Sequence, residues 1–184
     1  MDERKPRQLD CEALWSYALR VLGGRAHSTG ELREKLRRRA EKAEDVEATL
    51  SRLKNSGYLN DERFAETYVN ARLTTEKFGR GRVLRDLRGR RVAPGLAEKT
   101  VGEVYRDVDE SALIEEFVRK KYRLAPREGL FQEDKDMASA YRRLLRAGFR
   151  SGDIVRVLKK FARNPELLDS WVSPEQGEEG DSHA

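Results

Sequence analysis

A single cysteine, Cys11, stands in 184 residues, so no intramolecular disulfide can form and a reducing compartment is expected. The only histidines are His27 and His183, which leaves no zinc-ligand spacing and no redox pair. Cys11 reads as a partly buried helical residue, not as a nucleophile. No apolar run approaches a membrane span and no signal-peptide pattern is present, so a cytoplasmic protein without a membrane partner is expected. There is no phosphate-cradling loop either. Gly79-Arg80-Gly81 lacks a preceding strand and a Gly-Lys-Ser/Thr ending, and it reads as a flexible turn before a helix. With no catalytic constellation, neither an enzyme nor a cofactor is expected. Prolines number five and lie at the edges of periodic segments, so little interrupts helix formation.

What is present is charge and helix former. Charged residues make up 39% of the chain, hydrophobic residues 38%, and mean hydropathy is −0.83. That is polar for one compact globule and suits an elongated helical protein whose small units bury thin cores. All 38 Lys and Arg precede Asn164, whereas six of the 33 acids follow it, which leaves the body at +11. A basic body is compatible with a polyanion partner, and equally with a salt-bridged helical surface, since the acids are interleaved.

Residues 1–10 read as a flexible arm. A helix is expected from Cys11, with Leu14, Tyr17, Ala18 and Val21 on one face and Gly23-Gly24 at its end. Ser28-Thr29-Gly30-Glu31 forms a capping box for a second helix reaching about Ala40. A third begins near Glu44 or Asp45, and Gly57 closes it in the left-handed conformation. Tyr58 and Leu59 should then cover the last turn, and Asn60 or Asp61 cap the next helix, which reaches about Thr74. Val83, Leu84 and Leu87 mark a short helix ending at Gly89. Pro94 opens another. Leu113, Ile114, Phe117 and Val118 define a helix ending near Tyr122. Ala140, Tyr141, Leu144 and Leu145 should face inward on the next, which Gly148 ends. Ser151 or Asp153 caps the last, with Ile154, Val155, Leu158, Phe161 and Ala162 inward.

The order of long, short and medium helix recurs from Cys11, Asn60 and Asp109, a period of 49 residues. The expectation is an all-α chain of tandem three-helix, helix-turn-helix-like repeats: 11–59, 60–108, and 109–163 with an insertion at 124–134. An acidic tail, 164–184, is expected to be disordered apart from a docking patch at 167–172.

Three stretches resemble the RecX family, regulators of the bacterial recombinase RecA. They are Gly57-Tyr58-Leu59-Asn60-Asp61-Glu62-Arg63-Phe64-Ala65 with Tyr68-Val69 and Arg72; Phe78-Gly79-Arg80-Gly81-Arg82-Val83-Leu84-Arg85-Asp86-Leu87 with Arg91-Val92; and Leu144-Leu145-Arg146-Ala147-Gly148-Phe149 with Ile154, Val157 and Leu158. Ser28 and Glu31-Leu32-Arg33-Glu34-Lys35-Leu36 extend the similarity, which covers 12–162. Asp86 stands where the family pattern expects Glu, Arg88-Gly89-Arg90-Arg91 is unusually basic, and the acidic tail lies outside the pattern. The resemblance implies a curved, elongated array of three repeats. It also implies binding to the RecA–DNA filament, in its groove, with inhibition or destabilisation as the outcome, in homologous recombination, DNA repair and the SOS response. A monomer is expected.

The residues themselves nominate a binding surface. The stretch 77–91 holds seven cations (Lys77, Arg80, Arg82, Arg85, Arg88, Arg90, Arg91) against one acid, Asp86. With Val83, Leu84 and Leu87 inward, Arg82 and Arg85 should point outward. Guanidinium groups suit phosphate on single- or double-stranded DNA and carboxylate on a protein filament alike. Arg142, Arg143 and Arg146 form a smaller cluster on the corresponding helix of the last repeat. Tyr17, Tyr68, Tyr105 and Tyr141 read as core residues rather than base-stacking platforms. Two rivals remain: a helix-turn-helix protein reading duplex DNA without a recombinase, and a purely structural adaptor.

Overall fold

The computed structural model describes residues 8–122, 134–162, 165, 166 and 168. Among the described residues the fold is all-α, with nine α-helices, one π-helical turn and no strand. The helices are α1 (Cys11–Gly24), α2 (Thr29–Arg37), α3 (Ala43–Asn55), α4 (Asp61–Ala71), α5 (Arg80–Gly89), α6 (Pro94–Val104), α7 (Glu110–Tyr122), α8 (Asp134–Arg146) and α9 (Ser151–Lys159). Two compact units result: Met1–Ala71 with Leu84–Arg106, and Arg72–Val83 with Asp107–Ala184.

In the first unit, the Asp10 carboxylate accepts from the Ala13 N–H at 2.9 Å, which starts α1. Cys11 is exposed, not partly buried, because it sits on the first turn ahead of the apolar stripe. The arm is held at Leu9, whose N–H donates to the Arg39 carbonyl at 2.7 Å and whose carbonyl accepts from the Glu41 N–H at 2.9 Å. The same bonds stop α2 at Arg37, short of Ala40, because Ala40 joins an extended bridge with Leu9. Leu14, Ala18, Leu32, Leu36, Leu50 and Leu53 fill the core that α1, α2 and α3 share.

Gly57 closes α3 at φ 73°, with the Tyr58 N–H donating to the Leu53 carbonyl at 3.0 Å. Leu59 is buried, but Tyr58 stays 57% exposed, contrary to expectation, with its ring edge against Trp15. Asn60 is the cap of α4, its Oδ1 accepting from the Arg63 N–H at 2.8 Å. Helix α4 packs on α6, and Phe64, Ala65, Val69, Ala97 and Tyr105 are buried. Tyr105 is thus a core residue, while Tyr17, Tyr68 and Tyr141 are half-buried. Pro94 opens α6 as expected.

In the second unit, Arg72–Glu76 forms a π-helical turn, which runs two residues beyond the helix end expected at Thr74. Asp109 caps α7 through Oδ1, 2.9 Å from the Ser111 N–H. Helices α7 and α8 both pack on α9, and Ile114, Val118, Met137, Leu144, Phe149 and Leu158 are among the core side chains. Leu145 is 37% exposed rather than inward; Met137, Ala140 and Leu144 already define the face, and Leu145 lies one step round the helix from it. Gly148 takes φ 91° and ends α8. Neither Ser151 nor Asp153 caps α9: Ser151 is its first residue, and Asp153 accepts from Arg156 at 2.7 Å. Leu168 is buried in this core. The expected insertion lies outside the described residues up to Asp134, and so do Trp171 and the tail beyond Leu168.

Candidate basic interface

The N-terminus of α2 is a joint inside the first unit. Ser28 Oγ accepts from the Glu31 N–H at 3.0 Å and donates to the Arg90 carbonyl. The Thr29 N–H, otherwise an orphan helix donor, is taken by Asp61 Oδ1 at 2.7 Å. Gly30 faces the turn at Arg91, which holds φ 57°; a Cβ on Gly30 would stand 2.3 Å from the Arg91 carbonyl oxygen. Glu31 Oε1 receives Arg25 Nη2 and Arg90 Nη1, each at 3.1 Å. The Arg90 guanidinium also lies over the Tyr68 ring, 5.1 Å from its centroid.

The second unit builds the same joint 49 residues later in the chain. Gly79, the counterpart of Gly30, donates to the Ala147 carbonyl at 2.9 Å, and Gly81 to that of Gly148 at 3.1 Å. A Cβ on Gly79 would lie 2.5 Å from the Gly148 carbonyl oxygen. Glu110, the counterpart of Asp61, meets Arg80 Nε at 2.8 Å. The Gly79-Arg80-Gly81 segment is therefore a close-packed joint, not a flexible turn; glycine is needed because backbone meets backbone there.

These joints consume much of the charge in 77–91. Lys77 pairs with Glu116 at 3.3 Å, Arg80 with Glu110, and Arg90 with Glu31. Arg82, expected to point outward, is half-buried, with its guanidinium 5.3 Å from the Phe78 ring centroid and Nη1 3.5 Å from the Arg146 carbonyl oxygen. Arg88 pairs with Glu98 at 2.9 Å and Arg91 with Glu34 at 3.7 Å, both on the surface. Exposed pairs of that kind are weak and readily exchanged. Arg85, Arg88, Arg91, Arg142 and Arg146 are exposed, and Arg143 is half-buried.

Burial by itself would raise the Glu31 carboxyl, but the hydrogen bond and charge of Arg25, with Arg90 and the Ser28 N–H, hold it below the ordinary value. Burial lowers His27, reinforced by Arg25 and Lys35 and opposed by Glu31. Its Nδ1 stands 3.5 Å from Glu31 Oε2 and makes no hydrogen bond. Glu110 is pushed up by burial in spite of Arg80 and Arg150.

A cleft of ≈ 840 Å³ lies within the first unit, lined by α1, α4, the α1–α2 turn and Arg90, and the sequence patterns did not nominate it. Its one sequence signal is the pair Leu19 and Leu22, spaced three apart beside the main apolar stripe of α1. Among the described residues no cluster of His, Cys, Asp and Glu is placed to hold a metal, and no helix is long and apolar enough to cross a membrane.

An all-α scaffold of three-helix units carrying basic side chains is what the fold and this surface define. Family models for the first and second three-helix domains of RecX match residues 15–53 and 60–101. The regulatory protein RecX of Amycolatopsis mediterranei is 35% identical over 160 residues, covering 83% of this chain and 87% of that one. That of Deinococcus radiodurans is 34% identical over 158 residues, covering 86% and 72%. The crystal structure of RecX from Lactobacillus salivarius superposes with a TM-score of 0.62 at 18% identity, over 87% of this chain and 97% of that one. The chain belongs to the RecX family.

Proposed function

We propose that this protein binds the RecA–DNA filament and lowers recombinase activity in recombination and repair. It does so as a cytoplasmic monomer, without catalysis. The observation that carries the reading is the set of exposed cations on α5 and α8 of a RecX scaffold: Arg85 and Arg88 on one helix, Arg142 and Arg146 on the other. Several weak sites on tandem units, engaging a repetitive filament together, give affinity through linkage rather than through any one contact.

Duplex reading by a short basic helix is disfavoured. A recognition helix inserts its N-terminal residues into the major groove. Here the N-terminal N–H groups of α2 and α5 are taken by Asp61 and by the carbonyls at 147–148. The test is recombinase ATPase on single-stranded DNA with this protein titrated in. Inhibition below one protein per recombinase supports filament regulation. Unchanged ATPase at excess protein, together with a footprint on duplex DNA alone, overturns it.

A further inference from the structure

We propose that the cleft of the first unit is a docking groove for an acidic amphipathic helix on the recombinase protomers; this rests on the filament reading above. Its floor is aliphatic and aromatic: Leu19 and Leu22 from α1, Phe64 and Tyr68 from α4. Arg25, Arg63 and Arg90 edge it, and no carboxylate is among its lining residues. At that edge Glu31 already bridges Arg25 and Arg90. An occupant therefore needs apolar side chains for the floor and negative charge for the rim.

The geometry chooses between occupants. A nucleobase needs an open ring face. Phe64 and Tyr68 lie against each other with centroids 6.1 Å apart at 21°, and Arg90 covers Tyr68, so the floor rings are already engaged. Strand addition needs a sheet edge, and the described residues contain no strand. A groove between two helices accepts a third by its i, i+3, i+4 and i+7 side chains. Tyr58, 57% exposed and lining the cleft with Arg63, has the aromatic-plus-arginine character of an interface anchor. Carboxylates flanking the apolar stripe of the incoming helix would meet Arg25 and Arg63.

The test places the photo-crosslinking residue p-benzoylphenylalanine at Tyr58, with recombinase assembled on single-stranded DNA as the probe. Mass spectrometry should map the cross-link to a recombinase helix with an apolar stripe and acidic flanks. Arg63→Glu should weaken filament binding about tenfold, roughly 1.4 kcal/mol, with an unchanged circular dichroism spectrum. Cross-links to DNA or to a second copy of this chain overturn the groove. So does full filament affinity in both Arg63→Glu and Tyr58→Ala, which leaves filament regulation standing. If the wild-type chain leaves the filament unbound, both readings fall.

Discussion

Arg90 Nη1 lies 3.1 Å from Glu31 Oε1, across 59 positions of sequence, and the same carboxylate holds Arg25. This places Arg90, nominated by sequence as a binding cation, inside the joint of the first unit. Glu31→Gln leaves two guanidinium groups facing a neutral amide in a partly buried site. It should destabilise the first unit by about 1–3 kcal/mol in urea denaturation. Unchanged stability would show that the bridge contributes nothing to the fold.

The glycines divide into two kinds with opposite expected outcomes. Gly30→Ala and Gly79→Ala force a Cβ against backbone at 2.3 and 2.5 Å, and backbone cannot swing away as a side chain can. Each should cost about 1–3 kcal/mol. Gly102 lies inside α6, and a methyl placed there would meet nothing within 4 Å, so Gly102→Ala should gain about 0.5–1 kcal/mol. Thermal melts of the three variants check the ordering.

What the sequence disclosed was local. The Ser28–Glu31 capping box, the left-handed Gly57, Gly148 as a helix end, and Pro94 at a helix start each follow from chemistry within a few residues. The 49-residue spacing also pairs Gly30 with Gly79, and each packs against backbone of another segment. The partners of the basic stretch were hidden. Helical periodicity says which face a cation occupies, not which acid awaits it. Glu31, Glu34, Glu98, Glu110 and Glu116 come from other helices, and together they engage Lys77, Arg80, Arg88, Arg90 and Arg91. The cleft was hidden for a related reason: it belongs to α1 and α4 jointly, and neither helix alone marks it.

The exposed arginines give the functional prediction. Arg85→Ala, Arg142→Ala and Arg146→Ala combined remove exposed cations from α5 and α8 and keep both joint glycines, Gly30 and Gly79. Filament affinity should fall about tenfold or more, since several weak contacts are lost from a linked set. The circular dichroism spectrum should not change. Arg90→Ala should instead lower stability first. Full inhibition by the folded triple variant would remove these residues from the interface.

His27 sets a pH dependence. Its folded-state value is depressed below the ordinary 6.5, chiefly by burial, so the unfolded chain binds the proton first as pH falls. The stability tied to neutral His27 is therefore complete above 6.5 and is lost as pH drops toward the folded value. Glu31, also depressed, adds a loss at lower pH, below 4.5. Glu110, raised by burial, works the other way, because its protonation relieves a buried charge. The melting temperature should fall between about pH 7.5 and 5.5, and His27→Gln should flatten that slope. An unaltered slope in the variant would assign the effect elsewhere.

Truncation separates the acidic tail from the core. Leu168 is fully buried in the second unit, so a chain ending at Arg163 loses a core side chain and should be destabilised by about 2–5 kcal/mol. A chain ending at Leu168 keeps that side chain and sheds five acids: Asp169, Glu175, Glu178, Glu179 and Asp181. It should melt like the full chain. If the tail competes with polyanions for the basic body, this shorter chain binds single-stranded DNA more tightly, with a steeper salt dependence because more counterions are released. Fluorescence anisotropy at two salt concentrations distinguishes the cases. Equal affinity and equal slope would show that the acids beyond Leu168 do not screen the basic body.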